Sequence, residues 1–289
     1  MTPVANPVLS AAPGAGENPG PKTGPGLVAF GPGLQLTGIL TGPVTPGALT
    51  LILPSAGLQP RAGPFRLHVE LAQRLALQGI NTFRFDVPGV GEAPRVNGCD
   101  GSGATVAAID TLQAMGCSNF VVGGVCSAAD IGWATAVADA RVRAVLLLDG
   151  ISFIGPWFHY ARMLDRLRRA PREWRRMLRA AGALRQASDG MGSADFRDWP
   201  TPAQARQQFA QLVSRNVGLL WIYTGGFTDR FLHRRQFGWT FGPPARDPRV
   251  VMHYWPDCDH TFYARAHRDR LLAEVERWLT SLGSQARQP

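Results

Sequence analysis

Gly124-Val125-Cys126-Ser127-Ala128 closes an apolar run, Phe120-Val121-Val122, and opens an Ala-rich segment, residues 127 to 140, that reads as a helix. A strand that passes through a cramped turn into a helix presents a reactive side chain at the centre of the turn. Crowding there demands small residues two positions to either side, and Gly124 and Ala128 supply them around Cys126. Centring the turn on Ser127 would put β-branched Val125 in the crowded slot, so Ser127 is the weaker nucleophile candidate. The stretch points to acyl chemistry on a thiol.

Outward from the turn, strands and helices alternate. Residues 27 to 41 read as two short strands around Gly31-Pro32-Gly33, and Ala48 to Leu53 as an apolar strand broken by Ser55-Ala56-Gly57. A helix is predicted over Phe65 to Leu77, a strand over Asn81 to Val87, and a helix over Thr105 to Met115 ending at Gly116. Phe120 to Cys126, Val142 to Leu148, Val217 to Thr224 and Val250 to Trp255 are the later strands. The terminal helix, Phe262 to Leu282, carries Leu271, Leu272, Val275, Trp278 and Leu279 on one face. This alternation implies a largely parallel sheet with ligands bound at the carboxyl ends of its strands. Residues 151 to 215 interrupt it without a convincing strand, and are expected to form a helical cap that shapes the substrate pocket or a plain surface insertion. The core is then 27–150 and 216–285, preceded by a Pro/Gly-rich tail, 1–26, expected to be disordered and lacking a signal peptide's basic start and apolar core.

The chain has 289 residues, enough for one large core, with 45% hydrophobic and 18% charged residues. No apolar run approaches the roughly 18 residues of a membrane span. Four cysteines (Cys99, Cys117, Cys126, Cys258) show neither CxxC pairing nor zinc spacing, so no metal, cofactor or disulfide framework is expected, and a reduced cytoplasmic setting is. Net charge is +9, carried almost wholly by arginine, with Lys22 the only lysine. Arg162, Arg166, Arg168, Arg169, Arg172, Arg175, Arg176, Arg179 and Arg185 cluster in the insertion, yet no nucleic-acid-binding motif accompanies them.

A thiol nucleophile needs a base, a group that orients the base, and donors for the oxyanion. Of six histidines, His260 alone stands between the last strand and the terminal helix, where a base for Cys126 belongs; His68, His159, His233, His253 and His267 lack that placement. For the acid, Asp229, on the loop after a late strand, is the first candidate, and Asp149, ending the strand after the elbow helix, is the alternative. Asp86 is read as a turn holder. The oxyanion donors are expected to be the Ser127 N–H with one from Gly57 or Leu58. The helix starting at Ser127 sets its positive end beside Cys126, which favours thiolate.

Several blocks together resemble the α/β hydrolases, and within them the exosortase-system-associated hydrolases. Gln59-Pro60-Arg61-Ala62-Gly63-Pro64-Phe65-Arg66 is similar to that group's QxRxGxxR segment, and Arg84-Phe85-Asp86 with Pro88-Gly89-Val90-Gly91 to its RFDxxGxGDS. The elbow matches a cysteine variant, Pro156-Trp157 resembles the start of the cap, and Asp259-His260-Thr261-Phe262 resembles the histidine block. Glu92-Ala93 stands where the group usually has Asp-Ser, and Ala128 where it has glycine. The resemblance implies an α/β-hydrolase fold with Cys126 as nucleophile, Asp229 as acid and His260 as base.

The resulting expectation is a cysteine-dependent esterase, thioesterase or acyltransferase working through an acyl-thioenzyme on a small acyl ester or thioester, free or carried by coenzyme A or an acyl carrier protein. Trp157, Arg175 and Arg176 are the candidate substrate contacts, the arginines through an anionic donor. A competing reading makes the basic run a solvated helix face. Two other classes compete: a non-catalytic binding module on the same fold, and a basic helical segment that touches lipid.

Overall fold

The computed structural model describes residues 26–177 and 197–285, and the side chains of 26–168 and 197–283. Residues 1–25 of the expected tail, 1–26, and part of the insertion lie outside them, while Gly26 opens the first strand.

Eight strands form one sheet: β1 (Gly26–Phe30), β2 (Leu36–Thr41), β3 (Leu49–Pro54), β4 (Asn81–Phe85), β5 (Asn119–Val125), β6 (Val142–Leu148), β7 (Gly218–Thr224) and β8 (Val250–Trp255). Their spatial order is β1-β2-β4-β3-β5-β6-β7-β8. β2 is antiparallel to β1 and β4, and the remaining pairs are parallel. β3, β4 and β7 are buried along their whole length, as strands covered on both faces must be. Period-two alternation divides the core. Trp221 and Tyr223 of β7 join the cluster on one face, and Leu220 and Ile222 join the cluster on the other.

One face is covered by α1 (Leu67–Leu77) and α7 (Arg265–Gln285), whose Leu271, Leu272, Val275, Trp278 and Leu279 are all buried. The other is covered by α2 (Gly101–Ala114), α3 (Ser127–Ala138), α5 (Pro202–Ser214) and α6 (Arg235–Phe241). Here Trp133, Phe209, Trp221, Phe237 and Phe241 pack ring against ring, Phe209 and Phe241 stacking at 4.5 Å. α4 (Pro156–Met177) belongs to the stretch read from sequence as an insertion.

Several elements differ from expectation: β4 ends at Phe85 and not Val87, α7 begins at Arg265 and not Phe262, which is left-handed (φ 56°), and three further differences have local causes. α1 begins at Leu67 because Phe65 (φ 51°) and Arg66 (φ 62°) are left-handed and cannot continue a right-handed helix. α2 begins at Gly101 because the Asp100 side chain accepts from the Gly103 N–H at 2.7 Å, a cap hidden among poor helix formers. α6 was not foreseen: it is too short for a clear period and is held by burial of Phe237 and Phe241.

α3 crosses β5 almost in backbone contact. A Cβ on Gly132 would lie 2.7 Å from the Gly123 Cα, and one on Gly123 would lie 2.0 Å from the Leu146 carbonyl oxygen. Gly132 lets the helix sit directly over the central strand, and Gly123 lets that strand lie against the Leu146 backbone of β6.

Candidate active site

Cys126 occupies the turn between β5 and α3 with φ 58° and ψ −123°, a conformation costly for any side-chain-bearing residue. The small neighbours matter as the sequence suggested: a Cβ on Gly124 would approach the Ala128 Cβ to 3.0 Å. The turn is held by the Cys126 N–H donating to the Leu148 carbonyl at 2.8 Å and the Ala129 N–H donating to the Cys126 carbonyl at 3.0 Å.

His260 follows β8 in a turn folded around Asp259. That carboxylate accepts from the Thr261 N–H (2.9 Å), the Thr261 hydroxyl (2.6 Å) and the Tyr263 N–H (2.9 Å), while Phe262 is fully buried. The turn directs the imidazole back over the sheet, where Nδ1 meets Asp149 Oδ2 at 2.7 Å and the ring stacks on Phe227 at 6.3 Å.

The acid beside His260 is Asp149, and not Asp229. Asp149 ends β6 with φ 50°, is fully buried, and accepts from the Thr224 N–H (2.7 Å) and the Thr224 hydroxyl (2.6 Å). Asp229 is exposed on the turn after β7. The loop residues following Thr224 curl so that Phe227, rather than Asp229, faces the imidazole. Adjacency in space of β6 and β7 is what delivers both Asp149 and its donor Thr224.

Nδ1 being engaged by Asp149, the other ring nitrogen is left for the thiol. Burial alone would raise the Cys126 pKa, but hydrogen bonding to His260, the nearby Arg197 charge and the Ser127 N–H outweigh it and lower the value. Burial likewise pulls His260 down, and the bonds to Asp149 and Cys126 overcome it, raising His260 to about 10. Both directions favour passage of the thiol proton to the imidazole.

The sulfur opens on a cavity of about 220 Å³ whose wall includes Ala56, Gly57, Leu58, Pro60, His68 and His260. Of the expected oxyanion donors, the Ser127 N–H faces the sulfur. The Gly57 N–H instead donates to the Ser127 hydroxyl at 2.8 Å, and Leu58 lies at the cavity mouth, 92% exposed. The loop is locked from outside by Arg61, whose backbone N–H and guanidinium each reach the buried Asp86 carboxylate at 2.5 Å and whose second Nη reaches Glu92 at 2.6 Å. Asp86 is thus the turn holder expected of it.

Trp157 does not line this cavity. It stacks on His233 at 5.2 Å beneath the Arg235 guanidinium. The Arg175 and Arg176 side chains lie outside those described. His68, set aside on the sequence for its position, is buried against the cavity with its pKa lowered to about 4 by burial, and is therefore neutral. Nothing local marks it, since its place at the cavity wall comes only from where α1 docks. Among the described residues one group has metal-ligand geometry: Asp257, Cys258 and His267 place one ligand atom each within 4.8 Å of one another. Arg270 stands 3.4 Å from both Asp257 oxygens and already supplies the countercharge.

No family model matches the chain, and no curated protein matches it. Solved structures do. A protein of unknown function from Agrobacterium tumefaciens, a candidate α/β hydrolase, is 13% identical, with 92% of this chain and 100% of that chain covered at a TM-score of 0.57. Mouse α/β hydrolase domain-containing protein 10 is 14% identical, covering 89% and 99% at 0.54. A thermophilic esterase from Thermogutta terrifontis is 15% identical, covering 90% and 99% at 0.51. With its mostly parallel eight-stranded sheet, its flanking helices and these likenesses, the chain has the α/β-hydrolase fold.

Proposed function

We propose that this protein is a cysteine-dependent acyl hydrolase or acyltransferase, with Cys126 as nucleophile, His260 as acid–base and Asp149 as the group that orients it. The observation that carries the reading is the bond from His260 Nδ1 to a fully buried Asp149, next to a cysteine strained into an elbow above a cavity. That esterases share the fold is consistent with it.

The Cys126 thiolate attacks the acyl carbonyl of an ester or thioester, and the Ser127 N–H stabilises the oxyanion. As the tetrahedral species collapses, the imidazolium passes its proton to the departing alkoxide or thiolate, leaving an acyl-thioenzyme and neutral His260. Water, an alcohol or an amine then attacks, His260 takes the acceptor's proton, and the thiolate–imidazolium pair returns. The mainly apolar cavity suits a short acyl group. A donor on coenzyme A or an acyl carrier protein remains in keeping with the basic run around Arg175 and Arg176. No helix among the described residues is long and apolar enough to cross a membrane.

Intact-mass measurement after exposure to p-nitrophenyl and coenzyme A esters tests the reading. An acyl adduct is expected on the wild type and absent from Cys126→Ala. Its absence from both would leave a non-catalytic binding module.

A further inference from the structure

We propose that Arg197 is the positioning residue of this site, one guanidinium that ties together the nucleophile, its orienting acid and the ring behind the base. This rests on the reading of Cys126 as nucleophile and goes beyond it, since Arg197 touches none of the reacting atoms.

The guanidinium is 5% exposed and every contact it makes is directed. Nε and Nη2 form a fork on Asp130, at 2.6 and 2.7 Å. Nη1 donates to the Asp149 carbonyl at 2.9 Å, and Nη2 donates also to the Cys126 carbonyl at 3.0 Å. Its planar faces meet Trp199 at 4.8 Å and Phe227 at 5.7 Å, and Phe227 is the ring on which His260 stacks. Two members of the proposed triad therefore touch this side chain directly, and the third, His260, is reached through Phe227.

Those two carbonyls are significant. They belong to Cys126 and Asp149, both held at positive φ where a residue with a Cβ is strained. Such backbone persists only when its surroundings over-determine it. Two donors from a rigid plane do so for both residues at once, and they set the spacing between the elbow and the end of β6. Asp130, one turn into α3, fixes the plane and offsets its charge, so that burying the cation does not leave it unpaired. Lysine has a point charge and no fork, and could not replace all four bonds.

The test measures acylation of Cys126 by p-nitrophenyl acetate and its alkylation by iodoacetamide across pH, both by intact mass, in full-length protein. For Arg197→Met the acylation kcat should fall about 100-fold, as for misplaced reacting groups, with KM nearly unchanged and the alkylation inflection moved upward. Arg197→Lys should return the inflection, because the charge remains, without returning kcat. Asp130→Asn should lower kcat while the inflection stays or moves down. If Arg197→Met does not fold, the last two variants carry the test. Variants that keep wild-type kcat and inflection overturn the proposal, as does a kcat that falls only with the folded fraction seen by near-UV circular dichroism. A wild type with no adduct and an ordinary thiol inflection sinks the nucleophile reading itself, and Arg197 with it.

Discussion

At Cys126 and His260 the decisive quantity is where their shared proton sits. In the proposed mechanism the reactive form has sulfur deprotonated and the ring protonated, so it is gained as pH rises through the lowered thiol value and lost as pH rises through about 10, where His260 gives up its proton. A pH profile of kcat/KM for a neutral ester should therefore begin to rise below the ordinary thiol value of 9.0 and decline near 10. A single rise through 9, with no plateau below it, would contradict the ion pair. Asp149 and Asp229 separate equally cleanly. Asp149→Asn turns an acceptor of three bonds into a partial donor facing Thr224 and His260, and should cost about 10³–10⁴-fold in kcat/KM. Exposed Asp229→Asn should change stability by under about 0.5 kcal/mol and leave kcat/KM near wild type. Steady-state kinetics alongside thermal melts distinguishes the pair.

Individual elements are held at their ends by side chains from elsewhere in the chain. The loop after β3 is fastened by Arg61 to Asp86, which is 1% exposed, so removing the arginine side chain takes the countercharge from a buried carboxylate and leaves it only backbone N–H donors. Arg61→Ala should destabilise by about 3–5 kcal/mol, read as a lower urea midpoint. The ester KM should rise too, because that loop walls the cavity. The α3–β5 crossing is as sensitive. Gly132→Ala puts a methyl 2.7 Å from the Gly123 Cα, backbone that cannot step aside, and should cost about 1–3 kcal/mol despite the better helix propensity of alanine. Stability unchanged in that variant would mean that the helix is free to lift from the strand.

For the molecule as a whole, the aromatic stack joining α3, α5, α6 and β7 connects the sheet to the return limb of the insertion. Phe209→Ala, deleting a fully buried ring at its centre, should lower stability by about 3–5 kcal/mol with an unchanged denaturant slope. A changed slope would mean that α5 and α6 unfold apart from the sheet. Much of this architecture was legible in the chain. Val142 to Leu148 and Val250 to Trp255 read as largely apolar strands, and the structure has those strands with the same limits. Glycine and alanine around Cys126, and a histidine between the last strand and the last helix, are local statements as well, because steric room and chain order are written in neighbouring residues. The identity of the acid was not. Asp149 and Asp229 both follow a strand, and only the docking of β6 on β7 and the curl after Thr224 bring one carboxylate to the imidazole and leave the other in water. Arg197 gave no signal at all among so many arginines, for its four bonds run to residues 48 to 71 positions away. The sequence by itself determined the layered sheet and the elbow, and it named Cys126 and His260 as a candidate pair, since these follow from periodicity, crowding and order along the chain. Which carboxylate meets His260, and which arginine reaches the Cys126 and Asp149 carbonyls, was decided only by tertiary structure, because a hydrogen bond depends on distance in space and that distance exists only after the strands have packed.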